Sequence, residues 1–373
     1  MCIRILLKYK ELNKKIILFF SLFAFMNPIF AVNTIHILGW SGYLISTPEI
    51  AKATKQVETK CNVNISYDNY DSYDQMLEFL ETKNNYDIAI LSDTFLRGIK
   101  KYIVNNNSDS YKLRAGYNPT LKKHISLSNY PNNVTIFQIA LTGVIYNPKN
   151  VKLDKNFDLK EAFNIATKYI VVFLDDPYET AVMMQKSYFP DESQKMTYKK
   201  IIRNLNLFEQ KAKGKRIYFS TGYEPRDLSS DFALQMIWVG DGLIIQKIAK
   251  NTAGENLKYI IPEKFNYVTS DILVNFNNKQ STMCVMKMLS SKEYIRKLDL
   301  DIFYFSPFLT ASKLVMTKSK KYNQLEIAFL NVLDKSNNET WLDAMDFTNH
   351  QKVYNLWQKI RGEISYNRSI KNY

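Results

Sequence analysis

The stretch Thr34-Ile35-His36-Ile37-Leu38-Gly39-Trp40-Ser41-Gly42-Tyr43 sets the reading of the whole chain. Thr34 to Leu38 reads as a strand, and a helix begins near Thr47-Pro48, where proline is tolerated in the first turn and Glu49 suits the helix dipole. Asn62 to Tyr67 alternates like a second strand. Ser72 is placed to cap a helix whose Met76, Phe79 and Leu80 share a face, and Tyr86 to Leu91 makes a third strand. The order β-α-β-α-β is that of a parallel sheet with crossover helices.

Further along, residues 103–133 are rich in Asn, Ser, Tyr and Lys and read as surface loop with some helix. The β-rich run Val134 to Tyr146 then opens a second α/β series. It contains the strand Tyr169 to Leu174, a helix from Pro177, the strand Arg216 to Ser220, and Met236 to Val239. Asp271 to Phe276 is again strand-like, Ser281 to Leu289 helical, and Asp346 to Ile364 a long amphipathic helix. No internal repeat or flexible linker divides the chain.

Residues 1–31 read as an export signal, with Lys8, Lys10, Lys14 and Lys15 ahead of the apolar run Ile16 to Phe25 and a cleavage point after Ala31. The expected product is periplasmic. Cys2 precedes the apolar run, so it is badly placed for lipid modification at the cleavage site. Removing the segment lowers the 50 basic and 36 acidic residues to 45 and 35, a net charge of +10 instead of +14. Basic residues occur only in short runs such as Lys318-Ser319-Lys320-Lys321, without the clustered aromatics of a nucleic-acid surface. Export makes Cys61 and Cys284 capable of pairing, but two cysteines do not settle whether they do. His36, His124 and His350 lie far apart in sequence and lack metal-ligand spacing, so no metal or cofactor is expected. The roughly 340 residues that follow the signal exceed the usual size of one core and imply two domains.

In open α/β sheets ligands bind beyond the carboxyl ends of strands. Trp40 follows the first strand, Ser92 the third, Asp176 and Glu179 the Tyr169 strand, and Trp238 and Asp241 the Met236 strand. Two lobes whose strand ends face each other enclose a cleft. Its residue types suit an organic cation, because carboxylates neutralise ammonium heads while aromatic faces cover methylenes. Each residue also has a purely structural reading. Asp176-Pro177-Tyr178-Glu179 is a helix start with Asp176 as N-cap and Glu179 at the capping-box position, and either tryptophan can belong to the core. Asp271 is more pointed, since an acid opening Ile272-Leu273-Val274 needs a cationic or hydrogen-bonding partner. Catalytic patterns fail: Tyr43 stands where a nucleophile elbow has its second glycine, and Lys213-Gly214-Lys215-Arg216 lacks phosphate-loop spacing. No enzyme is expected.

These residues carry a resemblance to the periplasmic polyamine-binding proteins of ABC importers, most similar to the putrescine-binding branch and running from Thr34 to about Gly362. Trp40-Ser41-x-Tyr43 resembles the family's first-strand motif, and Ser92-Asp93-Thr94-Phe95-Leu96 its third-strand loop. Phe173-Leu174-Asp175-x-Pro177-x-Glu179 resembles its second-lobe helix start. Tyr218-Phe219-Ser220 through Asp227-Leu228, then Trp238-Val239-Gly240-Asp241, resemble the stretch ending in the family's Trp-Ala-Gly-Asp, with Asp271 and Tyr304 following in order.

The resemblance implies a two-lobed, type II-like periplasmic solute-binding fold, with one lobe from 33–138 and 270–318 and the other from 139–269 and 319–373. It implies that Trp40, Tyr43, Trp238 and Tyr304 line an aliphatic chain, that Glu179, Asp241 and Asp271 pair with amines, and that Ser41 and Ser92 accept further bonds. The implied ligand is putrescine or spermidine and the implied partner an inner-membrane ABC permease, with the binding protein a monomer. Two departures stand out: Gly42 replaces an acid and Thr269 an aromatic, with Asp93 as the compensating acid; Asp176 is a further candidate ligand-binding residue. Agmatine or a basic amino acid, or a secreted interaction protein that keeps the fold, are the alternatives.

Overall fold

The computed structural model describes residues 33–45, 47–83, 85–96, 98–103, 108–222, 229–264, 267–277, 279–310, 320–335 and 349–371. The export signal, Asp227-Leu228 and the first residues expected in the last helix lie outside these. The first half follows the sequence reading closely. It runs β1 (Asn33–Trp40), α1 (Pro48–Cys61), β2 (Val63–Tyr70), α2 (Tyr73–Thr82) and β3 (Ile88–Ser92), with β1 parallel to both β2 and β3. Ser72 caps α2 as its position suggests, accepting from the Gln75 amide, and Thr47 likewise accepts from the Ile50 amide at the start of α1. Within residues 103–133 the helix α3 spans Pro119–Leu127, capped by Asn118.

The next strand, β4 (Val134–Tyr146), is buried along all 13 residues and joins the two halves of the molecule. The second series continues with α4 (Leu159–Ile165), β5 (Ile170–Phe173), α5 (Pro177–Tyr188) and α6 (Tyr198–Ala212). Then come β6 (Ile217–Phe219), β7 (Phe232–Trp238), α7 (Val239–Ala253), β8 (Lys258–Ile260) and β9 (Val268–Asn275). Helices α8 (Gln280–Leu289), α9 (Lys292–Ile302), α10 (Lys320–Lys335) and α11 (His350–Lys371) complete the described chain.

The strand order is β2-β1-β3-β9-β4-β7-β5-β6, with β8 also on β4. The sheet is not wholly parallel as the alternation suggests. β9 is antiparallel to both β3 and β4, and β7 is antiparallel to β4 though parallel to β5. Residues 134–141 of β4 face β9, whereas 142–146 face β7, so the strand changes partner between Leu141 and Thr142. One lobe is built on each side of that change. In the first, α1 packs on α8 and α9, and a disulfide joins Cys61 of α1 to Cys284 of α8. In the second, α11 packs on α5, α6 and β6, burying Trp357 among Phe208, Phe219 and their neighbours. The segment after α9 returns to the middle of β4, where Phe305 and Ile139 exchange backbone hydrogen bonds of 2.9 Å.

Candidate functional site

A cavity of about 900 Å³ lies where β4 changes partner. The strand register explains what gathers there. Ser92, at the end of β3, pairs with Asp271; Thr269 pairs with Ala140; and Thr142 pairs with Trp238, the last residue of β7. Ten of the eleven expected site residues line the cavity: Trp40, Ser41, Tyr43, Ser92, Asp176, Glu179, Trp238, Asp241, Asp271 and Tyr304. Asp93 does not. It sits in a short 3-10 turn with its carboxylate buried and accepting from the Tyr130 hydroxyl at 2.8 Å, so it is no substitute for an acid at position 42. Gly42 itself is exposed, with φ of 93° and open space where a Cβ would stand.

The cavity is acidic inside a basic chain. Asp71, Asp74, Asp175, Asp176, Glu179, Asp241, Asp271 and Asp301 line it, against Lys247 and Arg361. Arg361 is already committed to Asp175 at 3.0 Å. A set of carboxylates with so little opposing charge makes the local potential negative whatever the sign of the whole protein.

Three carboxylates carry most of the chemistry. Asp271 accepts the Tyr43 hydroxyl and the Trp40 indole; Asp241, in the first turn of α7, accepts the Tyr304 hydroxyl at 2.7 Å. Glu179 accepts Trp238 Nε1 at 3.0 and 3.2 Å on its two oxygens, Thr142 Oγ1 at 3.2 Å, and the Tyr267 hydroxyl. All these donors are neutral. Among the described residues, Glu179, Asp241 and Asp271 form no ion pair. Burial pushes the Asp271 carboxyl up to about 6, opposed by its bonds to Tyr43 and Trp40 and reinforced by the nearby Asp241 charge. Burial likewise raises Asp241, and raises Glu179 with help from the neighbouring Asp176 charge.

The three are not equivalent. Glu179 is only 6% exposed and its acceptor positions are filled from three sides, so it holds Trp238 and Tyr267 in place. Asp241 and Asp271 are partly exposed toward the cavity and keep acceptor capacity. Asp176 caps α5, accepting the Tyr178 and Glu179 amides at 2.8 Å each. Ser41 donates to Asp71 at 2.7 Å, and Ser92 and Thr94 share a bond of 2.9 Å. Trp40 packs on Tyr70 and Phe95, with ring centroids 4.4 and 6.0 Å away.

Sequence reasoning did not single out Thr142, Tyr178 or Tyr267. Thr142 sits in an apolar strand run and Tyr267 just ahead of β9, neither with a motif that points to a site, and only the fold turns them onto Glu179. His350, which lacks metal-ligand spacing in the sequence, lines the cavity.

No protein-family model and no curated protein matches the sequence. Solved structures do match. The spermidine/putrescine ABC transporter substrate-binding protein PotD from Streptococcus pneumoniae superposes with a TM-score of 0.67 at 14% identity, over 89% of this chain and 99% of its own. The TpPotD lipoprotein of Treponema pallidum gives 0.63 at 13% identity, over 88% and 99%. The binding protein MotA from A. tumefaciens B6, in complex with glucopine, also gives 0.63, at 11% identity over 88% and 99%. The chain therefore has the two-lobed α/β fold of ABC-transporter solute-binding proteins. Those neighbours are named for chemically different ligands, so the ligand has to be argued from the site.

Proposed function

We propose that this chain is a periplasmic solute-binding protein that delivers a polyamine, putrescine or spermidine, to an inner-membrane ABC importer, without a catalytic step. The observation that carries the reading is the pair Asp241 and Asp271. Both are deep, both are raised by burial, both receive only neutral donors, and both open onto a cavity that is acidic overall. Carboxylates so placed gain most from a cation that enters without its water. Aromatic walls from Trp40, Tyr43, Trp238 and Tyr304 suit the methylenes between amines. The lobes proposed are 33–138 with 270–318 and 139–269 with 319–373. Segment 1–31 is proposed as the cleaved export signal, and the protein as a monomer.

A second reading is favoured by Glu179 and Gly42. With Glu179 occupied by three donors and no acid at 42, the site offers less to a second ammonium beyond the one met by Asp241 and Asp271, which suits agmatine or a basic amino acid. Titration calorimetry with putrescine, cadaverine, spermidine, spermine, agmatine, arginine and lysine separates the two. The polyamine reading expects micromolar or tighter binding, about −8 kcal/mol, for at least one polyamine. It fails if only agmatine or an amino acid gives heat. Native mass spectrometry of gently purified protein identifies a co-purifying ligand by its mass.

A further inference from the structure

The C-terminal helix sends one side chain across the cleft. His350, the first residue of α11 in the second lobe, has Nδ1 2.9 Å from the Tyr178 hydroxyl and Nε2 3.1 Å from Asp74 Oδ1. Tyr178 precedes Glu179 on α5 of the second lobe, whereas Asp74 lies on α2 of the first. The ring meets Tyr73 edge-on at 4.5 Å and stacks with Tyr178 at 5.8 Å and Tyr354 at 5.9 Å. Its side chain is 12% exposed. A single neutral tautomer satisfies both polar contacts, with Nε2–H donating to Asp74 and Nδ1 accepting from Tyr178. Lysine has no acceptor for this position. His350, Tyr73, Asp74, Tyr178 and Tyr354 all line the cavity, and none of them is a partner of Asp241 or Asp271.

We propose that His350 is a specificity-determining residue: it ties the two lobes at this end of the cleft and, by filling the space between Tyr73 and Tyr178, limits how far a ligand anchored at Asp241 and Asp271 can extend. The second part rests on the polyamine reading; the first does not. A contact that joins the lobes exists only while they are together, so it favours the bound arrangement by its full strength. Its loss should act on release and on the ranking of ligands by length.

The test uses His350→Ala and His350→Gln in the full chain, with melting temperatures as a folding check. His350→Ala should weaken putrescine binding about tenfold, as expected for one lost hydrogen bond to a charged group, while leaving spermine within about twofold. Glutamine, which can accept from Tyr178 and donate to Asp74, should restore the original ranking. An unchanged ranking in His350→Ala overturns the length limit. Small-angle scattering of ligand-free Asp74→Leu and Tyr178→Phe, which remove the acceptor and the donor one at a time with little change of shape, tests the tie directly. A larger radius of gyration than wild type is expected, and an unchanged radius in both overturns it. If no amine binds the wild-type protein, the polyamine reading fails while the scattering result still decides the tie.

Discussion

The Tyr304 hydroxyl donates to Asp241 over 2.7 Å, so the segment that follows a first-lobe helix is hydrogen-bonded to the first turn of a second-lobe helix. Gly240, one residue before Asp241, is what lets them approach. A Cβ there would collide with the Ile302 carbonyl oxygen and the Tyr304 ring. Gly240→Ala should therefore cost about 1–3 kcal/mol, the usual range for overpacking. The cost should fall on lobe closure. Calorimetry is expected to show weaker ligand binding alongside a smaller loss in the melting temperature of the ligand-free protein.

Asp271 and Asp176 should separate cleanly by mutation. Asp271→Asn removes a carboxylate that opens to the cavity and should weaken binding of a cation by about 1.5–3 kcal/mol, without lowering the melting temperature. Asp176→Ala removes the cap that holds two amides of α5 and should cost about 1 kcal/mol of stability. If Asp176→Ala abolishes binding at an unchanged melting temperature, the division of roles is wrong.

Proton release should accompany cation binding. The folded-state Asp271 carboxyl lies near 6, above its ordinary value of 3.8, because of burial first. Its stabilising share is therefore complete below about pH 4 and is lost as pH rises through 6. The raised Glu179 and Asp241 act in the same direction. A bound ammonium reverses the effect by favouring the carboxylate, so affinity should rise between pH 5 and 7. Titrations in buffers of different ionisation enthalpy measure the protons released, and a pH-independent affinity contradicts the account.

Gly42→Asp supplies the acid that the resemblance expects, but the backbone opposes it. With φ of 93°, any side chain at 42 is strained, by about 1–2 kcal/mol. There is room for the side chain, so the loss should be in stability alone. The expected outcome is a lower melting temperature with putrescine affinity no better than wild type. A gain in affinity shows that the added carboxylate reaches the bound cation.

Reducing the Cys61–Cys284 disulfide frees a sequence separation of 223 residues. Chain-entropy arguments assign loops of this size about 5.4 kcal/mol. Cys61→Ser with Cys284→Ser should lower the melting temperature markedly and leave ligand ranking unchanged, because the pair lies on α1 and α8, away from the cavity lining.

Where the chain follows local rules, the sequence is readable. Ser72, Pro177 and the alternation of the first strands announce elements that the structure contains within a few residues. Fully buried strands are another matter. β4, β7 and β9 are largely buried on both faces, so nothing in their periodicity says that they run antiparallel. The same limit applies inside the site. Ser92 and Asp93 are neighbours in a loop motif, yet one lines the cavity and the other turns to Tyr130, a choice made by the geometry of a single turn. His350 joins partners 172 and 276 residues away, and no motif spans such distances.

The partner change within β4 also constrains how the molecule comes apart. Because one continuous strand supplies an edge to both lobes, separating the chain there would leave each fragment with an unpaired, apolar strand face. Melting one lobe therefore withdraws the hydrogen-bonding template of the other, and a single calorimetric transition is the expected outcome, where two independent lobes would give two.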